Sequence, residues 1–340
     1  QFDLKLKIQV IYDYSSIRDL SQFIVTCYGK TLKIPTLKSD APKEADKVTA
    51  QVTVKAPESN TPNKEAGKIP AQVVAKPSET NSTTDIAVIG MSGRFPGADN
   101  LSEFWENIRQ GIDSISDVPP SRWDVQKYYD PDPQKPNCSN SKWGGFLRDV
   151  DKFDPLFFNI SPVEAEVMDP QQRLFLETCW HTLEDAGYVG QRLKSVKCGV
   201  FAGVIYNDYK ALLYKNGQIK SHGQVMLGNA NSILASWLAY FLNLRGPVMT
   251  VDSACTSSLM AVHLACKSLR DGEADVMLVG GVTLFLSEQL YVEMSKAGMV
   301  SPTGKCRAFD DSADGIVVGE AVAVVALKPL NRAIADGDTI

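Results

Sequence analysis

Cys255 is the residue of this sequence best placed to do chemistry. It sits in Val251-Asp252-Ser253-Ala254-Cys255-Thr256-Ser257-Ser258-Leu259, where a β-like run stops at Asp252 and small residues make a tight passage into a helix. The unpaired N–H groups at a helix start favour negative charge. The thiolate is the nucleophilic form of cysteine, so that setting suits an acyl acceptor. Small neighbours leave room for an acyl group and let backbone N–H groups approach its oxyanion. A buried structural thiol would fit the same local pattern, and the pattern alone leaves both readings open. The other six cysteines have plainer settings. Cys179 and Cys266 fall on helix faces, Cys198 starts a strand, and Cys27, Cys138 and Cys306 lack a strand-to-helix elbow. Seven cysteines without paired short spacings read as a reduced, cytoplasmic chain.

Other polar candidates read as structural. His263 lies eight residues along the helix from Cys255. That is about 12 Å of rise, too far for direct proton transfer. His181 falls on a helix and His222 in a loop, so all three histidines are expected to be structural or solvated. Asp169 is expected to cap a helix. Asp310, Asp314 and Glu320 could support the site or pair internally; for Asp310 and Glu320 the two readings weigh equally. Gly90-Met91-Ser92-Gly93 follows a strand but lacks the G-x-G-x-x-G spacing of a nucleotide loop.

These residues need a scaffold, and the chain alternates strand and helix signals from Asp85 onward. Ile86-Ala87-Val88-Ile89-Gly90 reads as a short buried strand. Asn100 or Ser102 can cap a helix through Phe104, Trp105 and Ile108. Ser161-Pro162-Val163-Glu164 combines a capping Ser, Pro at the first helical position and a Glu that can reach back. Asp169-Pro170-Gln171-Gln172 repeats the signal, and its helix runs toward Gly187. Residues 198–204, 248–251, 275–282 and 319–327 read as further strands. After the elbow, Leu259, Val262, Cys266 and Leu269 give an expected apolar stripe, with Gly272 to end the helix. The alternation implies an α/β fold with a helix-covered sheet. Its strands are rich in Gly and Ala, so the layers should pack closely.

Three regions separate by composition. Residues 1–29 carry one amphipathic helix signal, Ile17, Leu20, Phe23 and Ile24, too little to bury its own face. Residues 30–84 hold six Pro and no Phe, Trp or Tyr, and read as a flexible linker. Residues 85–340 contain all five Trp and form the expected folded mass. A net charge of −5 argues against a nucleic-acid binder. No run of 18 apolar residues suggests a membrane span, and no signal peptide is visible. The absence of an initiator Met makes Gln1 an expected cut end.

An ordered set of motifs resembles the β-ketoacyl synthase family, in the form found in modular polyketide synthases. The motifs run from Asp85-Ile86-Ala87-Val88-Ile89-Gly90 through Trp143-Gly144-Gly145-Phe146, Phe153-Asp154-Pro155 and Met168-Asp169-Pro170-Gln171-Gln172-Arg173 to the Cys255 elbow. Gly280-Gly281-Val282, Gly304-Lys305-Cys306-Arg307-Ala308-Phe309-Asp310 and Gly319-Glu320 follow. The resemblance covers residues 85–340 and implies a thiolase-like fold, layered α-β-α-β-α, truncated before its C-terminal half is complete. It implies a homodimer, with Cys255 accepting an acyl chain from the 4′-phosphopantetheine arm of an acyl carrier protein. Condensation with a malonyl-type extender, with loss of carbon dioxide, would follow. No cofactor or metal is implied on the chain itself; the expected partners are acyl carrier proteins and neighbouring polyketide synthase domains. Residues 11–20 resemble the last helix region of an acyl carrier protein, making 1–29 its C-terminal remnant. Gly111-Ile112-Asp113-Ser114-Ile115 mimics a carrier signature but reads as a plain loop. The family uses two downstream histidines, and only 85 residues follow Cys255 here. The expectation is therefore that this piece alone does not complete a condensation. Two alternatives share the resemblance: a non-elongating acyl-transfer gate, and a thiolase acting on coenzyme A esters, which the carrier-like start argues against.

Overall fold

The computed structural model describes residues 85–217 and 223–340. The expected carrier remnant, the linker and His222 lie outside the described residues. Among the described residues, a five-stranded sheet is built from β1 (Ile86–Arg94), β2 (Cys198–Gly203), β3 (Val248–Val251), β4 (Val276–Thr283) and β5 (Ala321–Pro329). Their spatial order is β1-β5-β4-β2-β3. β3, β2 and β4 run parallel. Parallel neighbours need crossovers, and helices α2 (Asn231–Leu242) and α3 (Ser257–Arg270) lie on the two crossovers. β5 runs antiparallel to both β4 and β1.

Side chains alternate across the sheet because successive residues of a strand point to opposite faces. Val200 and Ala202 of β2, with Val276 and Leu278 of β4, join the large core against α1 (Pro170–Asp185) and α2. Phe201, Met277 and Val279 face the other way and pack with Ala261, Ala265 and Leu269 of α3. The sheet thus carries helices on both faces, as expected of an α/β fold. No helix among the described residues is long and apolar enough to cross a membrane.

The expected starts of two helices hold in detail. Asn100 accepts from Glu103 N and Ser161 from Glu164 N, opening the helices Leu101–Gln110 and Pro162–Glu166. Residues 112–115 form a loop after the left-handed Gly111, with Asp113 Oδ1 accepting from Ile115 N at 3.0 Å. Two expectations need correction. The first strand is nine residues long and lies at the sheet edge with Val88 exposed, so it is half-buried instead of buried. Among the described residues its only ladder partner is β5, with no strand on its other side. The stripe of α3 also departs at one position. Leu259 is 72% exposed, whereas Leu269 is buried and Val262 and Cys266 pack partly buried beside the buried Ser257, Ala261, Ala265 and Ser268. The sheet surface approaches the first turns of α3 so closely that the small side chains Ser257, Ala261 and Ala265 fill the contact there.

α1 is buried deeply enough to enclose polar groups. Leu174, Phe175, Cys179 and Leu183 carry its apolar contacts, each worth about 1.5–3 kcal/mol for a large side chain. Thr178 and Thr182 donate back to Leu174 O and Thr178 O at 2.7 and 2.8 Å, so neither hydroxyl is stranded. Asp169 caps the helix by accepting from Gln171 N at 2.8 Å. Burial, aided by the Asp208 carboxylate, pushes Asp169 up to about 7 against the lowering effect of the Gln171 hydrogen bonds. A carboxyl whose folded value is raised contributes stability that is present in full below its unfolded value of about 3.9 and is lost as pH rises toward 7. The neutral Asp169→Asn variant escapes that loss. Whatever fixed cost the amide has beside Gln171 Nε2, the melting temperature of Asp169→Asn relative to the native chain should rise from pH 5 to pH 8. Thermal denaturation at several pH values checks this, and a difference that is flat or falls with pH contradicts it.

Candidate active site

β3 ends at Val251, and the chain turns into α3 within five residues. The turn is sharp because Ala254 adopts the left-handed region, with φ of 56°. That conformation costs a residue with a Cβ roughly 1–2 kcal/mol, so the surroundings must hold it. Asp252 Oδ1 accepts from Ala254 N at 3.1 Å. Ser257 does most of the rest. Its hydroxyl accepts from Ser253 N at 3.0 Å and donates to Ala254 O at 2.6 Å, and its own N–H donates to Ala254 O at 3.0 Å. Ser257 is buried, so these bonds are not shared with bulk water.

Thr256 occupies the cap position of α3 but does not cap it. Its hydroxyl donates backward to Ser253 O at 2.8 Å instead. The first turn of α3 therefore has no side-chain acceptor, and its partial positive charge remains for an anion at the elbow. Cys255 is the residue directly before that position. It is exposed, which removes the buried-thiol alternative. It opens into a cleft of about 400 Å³. Gly203, Val204 and Ile205 at the end of β2, residues 279–283 of β4, and Ala321, Ala323, Val324 and Val325 of β5 form the walls. The lining is mostly aliphatic, suited to an apolar chain more than to a polar metabolite.

Two glycines let the helix start come this close. A Cβ on Gly203 would lie 2.6 Å from Ser258 N and 2.8 Å from Ser257 C, both backbone atoms that cannot swing away. A Cβ on Gly281 would meet Ser258 Cβ at 3.0 Å. The sheet therefore sets the position of α3, and α3 sets the position of Cys255.

The other candidates fall elsewhere. Cys179 and Cys198 are buried side by side in the core, and burial pushes the Cys179 thiol well up and Cys198 up to about 12. Cys266 is half-buried on α3, and Cys306 is exposed in a loop where Val317 N donates to its sulfur at 3.2 Å. His181 pairs with Glu184 at 3.0 Å on the surface, and His263 is exposed on α3. Asp310 closes its own turn by accepting from Ser312 N and Oγ, which hold its carboxyl below the usual range. Asp314 accepts from Thr303 Oγ1 and pairs with Arg307 at 3.2 Å. Glu320 resolves toward internal pairing. It is buried, forms a two-point pair with Arg122 at 2.9 and 3.2 Å, and accepts from Leu147 N and Phe285 N. The sequence carried no local sign of these partners, because each is remote along the chain.

Known proteins place this arrangement in context. A family profile described as "Beta-ketoacyl synthase, N-terminal domain" matches residues 83–333. The chain is 40% identical over 343 residues to the polyketide synthase PksL of Bacillus subtilis (strain 168), a match covering all of this chain and 7% of that protein. It is similar to the oxazolomycin ketosynthase domain of Streptomyces albus JA3453, with a TM-score of 0.71 and 42% identity over 75% of this chain and 44% of that one. It is also similar to the ketosynthase from module 6 of the bacillaene synthase of Bacillus subtilis 168, with a TM-score of 0.67 and 47% identity over 75% of this chain and 42% of that one. The chain thus spans less than half of each protein it resembles.

The Gly203 contact gives a direct test. Gly203→Ala forces a Cβ into the first turn of α3 and should cost about 1–3 kcal/mol, the usual range for overpacking. It should also slow alkylation of Cys255 by iodoacetamide. Urea denaturation and mass-resolved labelling measure the two effects; a variant that matches the native chain in both would show that the approach is not constraining.

Proposed function

Because this chain belongs to the β-ketoacyl synthase family, in the form found in polyketide synthases, we propose that Cys255 is its acyl-accepting nucleophile. The donor is an acyl chain on the 4′-phosphopantetheine arm of an acyl carrier protein. The Cys255 thiolate attacks the thioester carbonyl carbon. A new C–S bond forms, the bond to the pantetheine sulfur breaks, and that thiol leaves carrying the proton Cys255 gave up. The oxyanion formed on the way is favoured by the uncapped start of α3. A malonyl-type extender on a second carrier then loses carbon dioxide, and its carbanion attacks the Cys255 thioester. The chain leaves one β-ketoacyl unit longer, and the thiol is regenerated.

The observation that carries this reading is an exposed thiol, held by a strained elbow at a helix start, opening on an aliphatic cleft. Among the described residues no histidine lines that cleft, so acyl loading is the step these residues carry themselves. The carrier-like residues 1–29 and the linker 30–84 are read as the end of a neighbouring carrier domain and its tether to residues 85–340. Dimer formation is part of the same reading. β3 lies at the edge of the sheet with Val248 and Met249 exposed, and an unpaired apolar edge is suited to a second copy.

Incubation with an acyl-pantetheine thioester should add the acyl mass to Cys255, located by peptide mass spectrometry. Cys255→Ala should abolish the adduct while the other cysteines stay unmodified. An adduct on another residue, or none at all, rules out the assignment.

A further inference from the structure

Three chain segments leave the sheet at one end of the Cys255 cleft. Ile205 follows β2, Thr283 ends β4, and Ala321 begins β5, and all three line the cleft. The residues directly beyond them are tied together by side chains from elsewhere. Gln171, in the first turn of α1, donates from Nε2 to Tyr206 O at 2.7 Å and accepts at Oε1 from Leu284 N at 3.1 Å. Glu320 accepts from Phe285 N at 2.9 Å. Asp208 then accepts from Leu286 N and Ser287 N at 3.0 and 2.8 Å. Four consecutive backbone amides, at residues 284–287, are thus held by side-chain oxygens from three different parts of the chain.

The segment they hold is buried at every position. Leu284 and Leu286 pack into the main core, while Phe285 packs into a separate one with Trp123, Phe146 and Tyr291. A buried irregular segment cannot satisfy its N–H groups with water, so its path depends on these acceptors. Gln171 is the most demanding of them. Its amide accepts from one backbone group at Oε1 and donates to another at Nε2, which a carboxylate of the same length could not do. Gln171 is itself buried, and Asp169 Oδ2 takes up its remaining donor at 3.1 Å.

We propose that Gln171 is a positioning residue which, with Glu320, fixes the end of the Cys255 cleft lined by Ile205, Thr283 and Ala321 and thereby the length of acyl chain that Cys255 accepts. The proposal rests on the acyl-acceptor reading above. Gln171 takes part in none of the elbow's own hydrogen bonds, so it acts on that end of the cleft and leaves the thiol's setting intact.

The test compares acylation of Cys255 by acetyl- and octanoyl-pantetheine thioesters with alkylation by iodoacetamide, in the native chain and in Gln171→Met. The variant keeps the size of the side chain and removes both bridging bonds. The octanoyl donor should lose roughly three- to tenfold in its specificity constant relative to acetyl, the scale of one net hydrogen bond. The change should fall on the half-saturating concentration, with iodoacetamide labelling within about twofold of native. Equal losses for both donors and for iodoacetamide would mean a general structural role and overturn the proposal, as would an unchanged octanoyl-to-acetyl ratio. Should Gln171→Met fail to fold, Gln171→Asn keeps the buried amide but is one methylene too short to span both partners. The same selective loss is expected of it, and its absence is equally decisive. A native chain that neither donor acylates at Cys255 sinks the acyl-acceptor reading itself, before any variant is compared.

Discussion

The position of the reactive sulfur depends on one close contact between a helix and a sheet. α3 begins with its backbone against Gly203 and Gly281, at a distance that leaves no room for a Cβ on Gly203. That contact fixes where the first turn lies. The turn fixes the elbow, and the elbow forces Ala254 into a left-handed conformation that the Ser257 hydroxyl then locks. The small residues Ser257, Ala261 and Ala265 on the buried face of α3 follow from the same constraint. Strain at Ala254 is tolerable because the bonds around it are buried and mutually supporting.

A second theme is the use of buried polar side chains as joints. Glu320 links the strand it precedes to Arg122, to the backbone at Leu147 and to the backbone at Phe285. Taking two charges out of water is costly, and here Glu320 accepts four hydrogen bonds in return, two from Arg122 and two from backbone N–H groups. Gln171 and Asp208 act in the same way on neighbouring amides. A comparable ionic joint sits at the other end of β5, where Lys328 donates to Tyr188 Oη at 2.6 Å and to Asp338 at 2.7 Å within the core. Residues 284–287 would otherwise be an unsupported loop between two cores. The joints fix its path.

Much of this was legible in the sequence, for identifiable reasons. Caps are local chemistry, so Asn100, Ser161 and Asp169 could be placed from their own neighbours. The elbow was legible because a strand signal, a run of small residues and a helix signal adjoin. What could not be read depended on distance along the chain. Leu259 fits the helical apolar pattern that Val262, Cys266 and Leu269 follow, yet it is exposed, because the surface that α3 meets is built by strands far from it in sequence. The roles of Glu320 and Gln171 were hidden for the same reason: Gln171 and Leu284 are 113 residues apart, and no periodicity records such a pairing. The outer position of β1 is a property of strand order, which hydropathy does not carry.

The burial of Cys179 and Cys198 has a use beyond packing. Both sulfurs lie in the main core, one on α1 and the other on β2, and both are almost wholly inaccessible. A thiol reagent reaches them only when the helix parts from the sheet. The molecule therefore carries an internal gauge of its own integrity: the delay between modification of surface sulfurs and of these two records how often the interior opens, without any added probe.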